Sequence, residues 1–191
     1  MTKEKLRVKN ITVNFEEKSI IEDVTITLNE GEIVSILGVS GVGKTTLFNV
    51  IAGLINPCIG TVELDGENII GKSGKISYML QKDLLFPFKT ILDNVSLPLI
   101  LKGEKKKKAR EIAGKYFSQF GLEGMENKYP KELSGGMRQR AAFLRTYMFS
   151  SEIALLDEPF SALDTITKQK IHTWYLDVVK KLNISILFIT H

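Results

Sequence analysis

The sequence has almost no cysteine, no long apolar run and little excess charge. Its one thiol, Cys58, excludes an intrachain disulfide, and a reducing cytosol is the expected setting. The longest apolar stretches, such as 184 to 189 interrupted by Ser185, are strand-sized and far short of the roughly 20 residues of a membrane span. The opening Met1-Thr2-Lys3-Glu4-Lys5 lacks the apolar run of a secretory signal. Internal repeats and low-complexity linkers are missing too. What remains, 191 residues of which 43% are hydrophobic, suffices for one substantial core in a single domain with subdomains. Much of the net charge of +4 sits in Lys105 to Lys108. That run leads into a helical stripe of Ala109, Ile112, Ala113, Tyr116, Phe117 and Phe120, so a solvated helix face is favoured over a lipid site. Basic and aromatic residues do not interleave as they do where bases stack, and no nucleic-acid partner is expected.

Apolar patterning predicts strands at Leu6 to Phe15, Val24 to Leu28, Ile33 to Leu37 and Thr61 to Leu64, with Asp65-Gly66 turning the chain. Another strand is expected at Lys75 to Leu80, ending at Gln81, followed by a loop from Lys82 to Phe88. Helical periodicity dominates from about Thr90 to Phe149, with Pro98 kinking or ending one helix and Pro130 stopping another. A β/α pattern then resumes: a buried-type strand at Ile153 to Leu156, a helix with Ile171, Trp174, Tyr175, Val178 and Leu182 on one face, and a strand at Ile184 to Thr190. The expected division is one α/β domain, 1–191, with a β/α core in 1–88 and 151–191 and a helical part in 89–150.

Between the strand ending at Leu37 and a helix expected from Lys44 to about Leu54 stands Gly38-Val39-Ser40-Gly41-Val42-Gly43-Lys44-Thr45-Thr46. A strand, a glycine-rich loop and a helix opening on Lys-Thr is the context of a phosphate-binding loop. Gly38, Gly41 and Gly43 are expected to allow backbone conformations closed to residues with a Cβ, so that N–H groups converge on phosphate oxygens. The helix start adds its positive dipole end, Lys44 a point charge for the terminal phosphates, and the Thr45 hydroxyl a ligand for Mg²⁺. A plain glycine-rich turn would not need Lys-Thr at this offset.

Asp157 and Glu158 follow an apolar strand, at the carboxyl end where open parallel sheets bind ligands. Neighbouring side chains at a strand end diverge, which suggests two jobs: Asp157 for Mg²⁺ through its water shell, Glu158 as general base for the attacking water. Acidic helix caps are the alternative.

Leu133-Ser134-Gly135-Gly136-Met137 opens a helix with Met137, Ala141, Leu144 and Met148 on one face. Ser134 and Gly135 then stand at a helix N-terminus, a second anion site that would be useful if it completed the pocket of another copy. A serine cap with glycines for close packing accounts for the same residues equally well.

Taken together, these residues resemble the nucleotide-binding subunit of ATP-binding cassette (ABC) transporters, from about Leu6 to His191. Gly38 to Thr45 match the Walker A loop, Gln81 the Q-loop, Leu133 to Met137 the signature, Ile153 to Asp157 Walker B, Glu158 the catalytic carboxylate, Ser161 to Asp164 the D-loop and His191 the switch histidine. The resemblance implies a P-loop NTPase with a RecA-like parallel-sheet core, an N-terminal antiparallel β subdomain and an inserted helical subdomain. It also implies that a C-terminal part of the fold is missing, which would leave His191 at a frayed end and hydrolysis weak.

The family implies a sandwich dimer around two ATP molecules, with Ser134, Gly135 and Gly136 of one copy on the γ-phosphate bound by the other, and Asp164 among the nucleotide-binding residues. Lys44, Gln81, Glu158 and His191 would act on the γ-phosphate, with Mg²⁺ held by Thr45, Gln81 and Asp157. Phe15 stands where many members have a Tyr against adenine, and stacking needs only the ring face; an aromatic of the core is the other reading. Met137 replaces a common Gln without touching the signature donors. The apolar loop Leu84, Leu85, Phe86, Pro87 and Phe88 corresponds to part of the groove that receives a short helix of the membrane permease, with Phe86 or Phe88 expected to line it; ordinary packing under the helical part is the other reading. The motif strings look like importer ATPases of the nitrate, sulfonate, taurine and pyrimidine-precursor group, which implies a permease, indirectly a solute-binding protein, and a peripheral place on the cytoplasmic face of the membrane. A nucleotide-binding module without sustained hydrolysis, or a soluble non-transport ABC ATPase, are the rival readings.

Overall fold

The structure, a computed structural model, describes residues 3–16, 18–150, 152–159 and 165–190. Two compact units result: Met1–Tyr78 with Glu152–Glu158 and Asn183–His191, and Met79–Ser151 with Pro159–Leu182. Residues 79–88 and the last long helix therefore belong with the helical unit, although the sequence pattern groups them with the nucleotide core.

In the first unit, β1 (Glu4–Phe15) pairs antiparallel with β2 (Lys18–Asn29). Leu6 and Val8 are buried at even positions, Ile11 and Val13 at odd ones. The change of parity is made by a bulge between Val8 and Ile11, where Asn10 takes φ +51° and its side-chain amide donates to Asp23 Oδ1 over 2.6 Å. Asn tolerates the left-handed region, so one extra residue keeps both halves of the strand facing the core. β2 begins six residues before the expected Val24, because its amino end is mostly exposed and lacks an apolar signature.

After β3 (Ile33–Leu37), α1 spans Lys44–Ile51. It ends short of Leu54 because Gly53 turns left-handed, φ +73°, and donates to the Val50 carbonyl. β4 (Ile59–Leu64) and β5 (Glu67–Asn68) form a hairpin in which Asp65 and Gly66 have φ +49° and +81°. Positive φ at both central residues is the turn that matches strand twist. Lys5, buried on β1, donates to Asp65 Oδ2 over 2.7 Å and also bonds Glu152, tying this turn to the strand entrance at Ile153.

β6 (Ser77–Met79) is shorter than expected, and β7 (Ile153–Asp157) and β8 (Ser185–Thr190) complete the strands. Among the described residues they form two four-stranded sheets, β2-β1-β4-β5 and β3-β8-β7-β6, with β3/β8 and β7/β8 parallel. All five residues of β7 are buried, as expected of a strand covered on both faces. Phe48, Ile51, Leu155, Leu187 and Ile189 share one core with the inner faces of β1 and β2.

The second unit packs α2 (Ile91–Leu101) against α3 (Lys106–Gly114) and α4 (Gly135–Phe149). Pro98 lies inside α2, which runs on to Leu101. Pro130 does not stop a helix but opens a 3₁₀ turn, Pro130–Glu132, where its missing N–H and fixed φ suit a first helical position. The expected stripe from Ala109 to Phe120 is buried at Phe117 and Phe120, yet regular helix ends at Gly114 and turns carry the chain on. Lys105 to Lys108 are exposed. In α5 (Thr165–Leu182) Ile171, Tyr175 and Val178 are buried, Tyr175 stacking on Phe143 at 4.3 Å.

Candidate functional site

The first unit holds a cavity of about 340 Å³ lined by Phe15, Ile20, Ser40, Gly41, Gly43, Lys44, Thr45, Thr46 and Glu158. Its floor is the loop between β3 and α1. Gly41 and Gly43 have φ +82° and +96°, and a Cβ on Gly43 would stand 2.8 Å from the Ile20 carbonyl oxygen. Gly38 departs from expectation: it does not occupy the left-handed region, and a Cβ there would meet only the Val42 and Lys44 side chains, at 3.1 and 3.6 Å. Val39 and Val42 are exposed, and neither they nor Gly38 line the cavity.

Gly43 caps α1 without a side-chain hydrogen bond, and the first turn of the helix carries no acidic residue. The positive end of the dipole therefore faces the cavity without a carboxylate of its own helix. Lys44, 8% exposed, donates through Nζ to the Gly38 and Val39 carbonyls at 2.6 and 2.9 Å. Those bonds fold the ammonium into the loop and close it as a ring.

Asp157 ends β7, 6% exposed. The Thr45 hydroxyl donates to Asp157 Oδ2 over 3.1 Å and the Tyr78 hydroxyl donates to the same oxygen over 3.3 Å. Burial pushes the Asp157 carboxyl above its ordinary range and the adjacent Glu158 charge adds to this, while the two hydroxyls and Lys44 pull the other way. Burial beside Asp157 holds the Tyr78 phenol protonated, so it remains a donor. Thr45 spends its proton on Asp157, which leaves its oxygen able to act as a donor atom to a cation.

Glu158 shows how adjacent carboxylates part company. Its φ is +46°, and its N–H donates to the Ile189 carbonyl over 3.2 Å. The left-handed step swings the side chain into the cavity while Asp157 stays in the strand, a strained conformation of the sort found at functional sites.

Phe15 is 52% exposed and lines the cavity, so it is not a core aromatic. Gln81, Ser134, Gly135 and Gly136 belong to the second unit. Gln81 is exposed, two residues beyond the end of β6. Ser134 caps α4, its hydroxyl oxygen accepting from the Met137 N–H over 3.3 Å, with no acidic residue in the first turn. The capping bond uses the oxygen and leaves the proton for another acceptor. The helix buries Ala141, Leu144 and Met148 as expected, but also Gln139, Ala142, Phe143 and Thr146, so its buried surface is broader than one stripe. His191, Asp164 and Ser161 lie outside the described residues.

Tyr78 and Ile20 escaped the sequence reading. The only signal for Tyr78 was a hydroxyl-bearing aromatic within an apolar strand, three residues before Gln81.

The model of the ABC transporter family matches residues 21–161. Formylaminopyrimidine import ATP-binding protein ThiZ of Halalkalibacterium halodurans is 46% identical over 192 residues, which cover 100% of this chain and 75% of ThiZ. Taurine import ATP-binding protein TauB of Escherichia coli O157:H7 is 37% identical, covering 97% of this chain and 73% of TauB. The crystal structure of the ADP conformation of MJ1267, an ATP-binding cassette of an ABC transporter, superposes with a TM-score of 0.86 at 26% identity, over 100% of this chain and 82% of that one. The fold is accordingly that of the P-loop NTPases, and the chain belongs to the ABC transporter family, as one of its ATP-binding, ATP-hydrolysing cassettes.

Proposed function

We propose that this cassette powers import of a small solute through a membrane permease by hydrolysing ATP as two copies close head to tail. The observation that carries the chemistry is that Lys44, Thr45 and Glu158 line one cavity while Asp157, buried behind it, accepts from the Thr45 hydroxyl over 3.1 Å. The import functions named for ThiZ and TauB support the direction of transport.

In this reading Phe15 stacks on the base, the loop 38–46 cradles the phosphates, and Lys44 exchanges its two carbonyl partners for phosphate oxygens. A hydroxyl and one carboxylate 3.1 Å apart are hard oxygen donors of the kind that hold Mg²⁺ together with substrate phosphates, so the residues fit that ion. Thr45 and Asp157 would hold it, and bound there it would neutralise phosphate charge. Glu158 accepts the proton of the attacking water. Ser134, Gly135 and Gly136 of a second copy, with Asp164 and His191, would complete the γ-phosphate site. The Ser134 hydroxyl proton and the free helix start are suited to that role.

Among the described residues no helix is long and apolar enough to cross a membrane. A peripheral place on the cytoplasmic face, held by the permease and indirectly serving a solute-binding protein, agrees with this. The test is the dependence of ATPase rate on protein concentration. A rate per chain that rises with concentration and saturates supports paired copies; one that is constant down to nanomolar chain overturns them.

A further inference from the structure

Asp157 must present its carboxylate in one orientation if it is to meet a cation at Thr45, and the backbone does not guarantee this. The terminal torsion of an aspartate is broad, so the plane of the carboxylate is set by its partners. Two donors from two elements reach it, the Thr45 hydroxyl from α1 and the Tyr78 hydroxyl from β6, and both fall on Oδ2. Convergence on one oxygen fixes the plane and reserves Oδ1 for other work.

We propose that Tyr78 is a positioning residue for metal-bound nucleotide: its hydroxyl, donating to Asp157 Oδ2, holds the carboxylate in the orientation that serves the cation at Thr45. The inference rests on the reading that Thr45 and Asp157 hold Mg²⁺. The ring is itself held. Phe48, fully buried on α1 one turn beyond Lys44, meets it edge-on, centroids 5.9 Å apart and planes at 80°. The phenol thus spans from the helix that begins at the phosphate loop to the strand that ends at Asp157. If Tyr78 only filled space beside Phe48, phenylalanine would serve equally well, and that difference makes the role testable.

Tyr78→Phe keeps the ring and removes the hydroxyl. Nucleotide affinity of the protein is measured by titration with ATP in EDTA and again with Mg²⁺, in a Glu158→Gln background that prevents turnover, and Mn²⁺ binding to the ATP complex is followed by electron paramagnetic resonance. A hydrogen bond to a carboxylate at this length implies a loss of about three- to tenfold in Mg²⁺-ATP and Mn²⁺ affinity, with metal-free ATP affinity unchanged. An equal loss with and without metal makes Tyr78 merely structural and overturns the proposal. So does wild-type metal dependence in Tyr78→Phe while Asp157→Asn loses it. Should Asp157→Asn also keep its full response to metal, the assignment of Mg²⁺ to this pair fails, and the tyrosine's role fails with it.

Discussion

Thr45 and Asp157, 112 positions apart in sequence, are joined by one hydrogen bond of 3.1 Å. It connects the first turn of α1 to the last residue of β7, the helix that follows the glycine-rich loop and the strand that precedes Glu158. Asp157 is buried and Thr45 exposed, so the bond runs from the core to the cavity mouth.

Replacing that hydroxyl separates its chemistry from its shape. Thr45→Val leaves the buried carboxylate with one donor fewer and, on the proposed reading, removes a Mg²⁺ ligand, so a tenfold or greater loss of Mg²⁺-ATP affinity is expected. Thr45→Ser restores the hydroxyl and should bind within about threefold of the parent, a normal tolerance for lost packing of one methyl. Equilibrium titration with a fluorescent ATP analogue in Mg²⁺ measures both. Equal behaviour of Val and Ser would show the hydroxyl to be irrelevant.

Glu158→Gln keeps size and the left-handed backbone and removes only basicity. Turnover should fall by roughly two to four orders of magnitude, the range of general-base catalysis, with ATP binding retained. A steady-state rate within a few-fold of the parent takes Glu158 out of the role of base.

The two left-handed glycines of the loop differ in what surrounds them. An added Cβ meets nothing within 4 Å at Gly41 but stands 2.8 Å from a backbone oxygen at Gly43. Gly41→Ala should therefore cost only the left-handed penalty of about 1–2 kcal/mol. Gly43→Ala must also move backbone, and its denaturation midpoint should lie clearly below that of Gly41→Ala. Coincident midpoints would contradict the close approach of Ile20.

The glycine-rich loop 38–46 between a strand and a helix was legible in sequence because its residue types stand at fixed offsets, whatever surrounds them. The place of Asp157 and Glu158 at the end of a buried strand was legible too, but the left-handed turn that sends Glu158 into the cavity was not, since nothing about a glutamate announces positive φ. Apolar spacing reported burial more faithfully than backbone. Phe117 and Phe120 are buried as their stripe required, yet the helix has already ended at Gly114, where glycine weakens the regular backbone and later side chains continue on turns. Pro130 was ambiguous by nature, because the same ring ends one helix and begins another. Tyr78 was invisible because its value lies in a partner 79 positions away.

Asp93 ties α2 to α3 and gives stability a dependence on pH. Its carboxylate accepts from Arg110 Nη1 at 2.6 Å and from the Thr90 hydroxyl at 3.1 Å, while Thr90 caps the helix by accepting from the Asp93 N–H. Burial raises its pKa, but Arg110 and Thr90 outweigh burial and hold it below the ordinary carboxylate range. A lowered folded value stabilises fully above the unfolded value, near pH 4, and the contribution fades as acid carries the medium down through the folded one. Asp93→Asn should thus melt lower than the parent at pH 7, and the gap should close below about pH 4. A gap independent of pH would assign the loss to packing alone.

Phe86 and Phe88 stand together, ring centroids 5.7 Å apart, and are 40% and 72% exposed. The segment that carries them is anchored rather than loose. Arg145 on α4 donates to the Asp83 and Leu84 carbonyls at 2.6 and 2.8 Å, Arg138 reaches the Asp83 carboxylate at 3.3 Å, and the buried Asn94 side chain both accepts from the Phe86 N–H and donates to its carbonyl. Two exposed aromatics on a braced backbone suit a docking surface, because little ordering entropy is lost when a partner helix covers them. The double substitution Phe86→Asp with Phe88→Asp should abolish co-purification with membrane permease while ATP affinity stays at the parent value. Arg145→Met, which loosens the brace and leaves the rings in place, should weaken the same complex to a lesser degree. Recovery of the double variant with the permease in undiminished yield would move the docking surface elsewhere on the cassette.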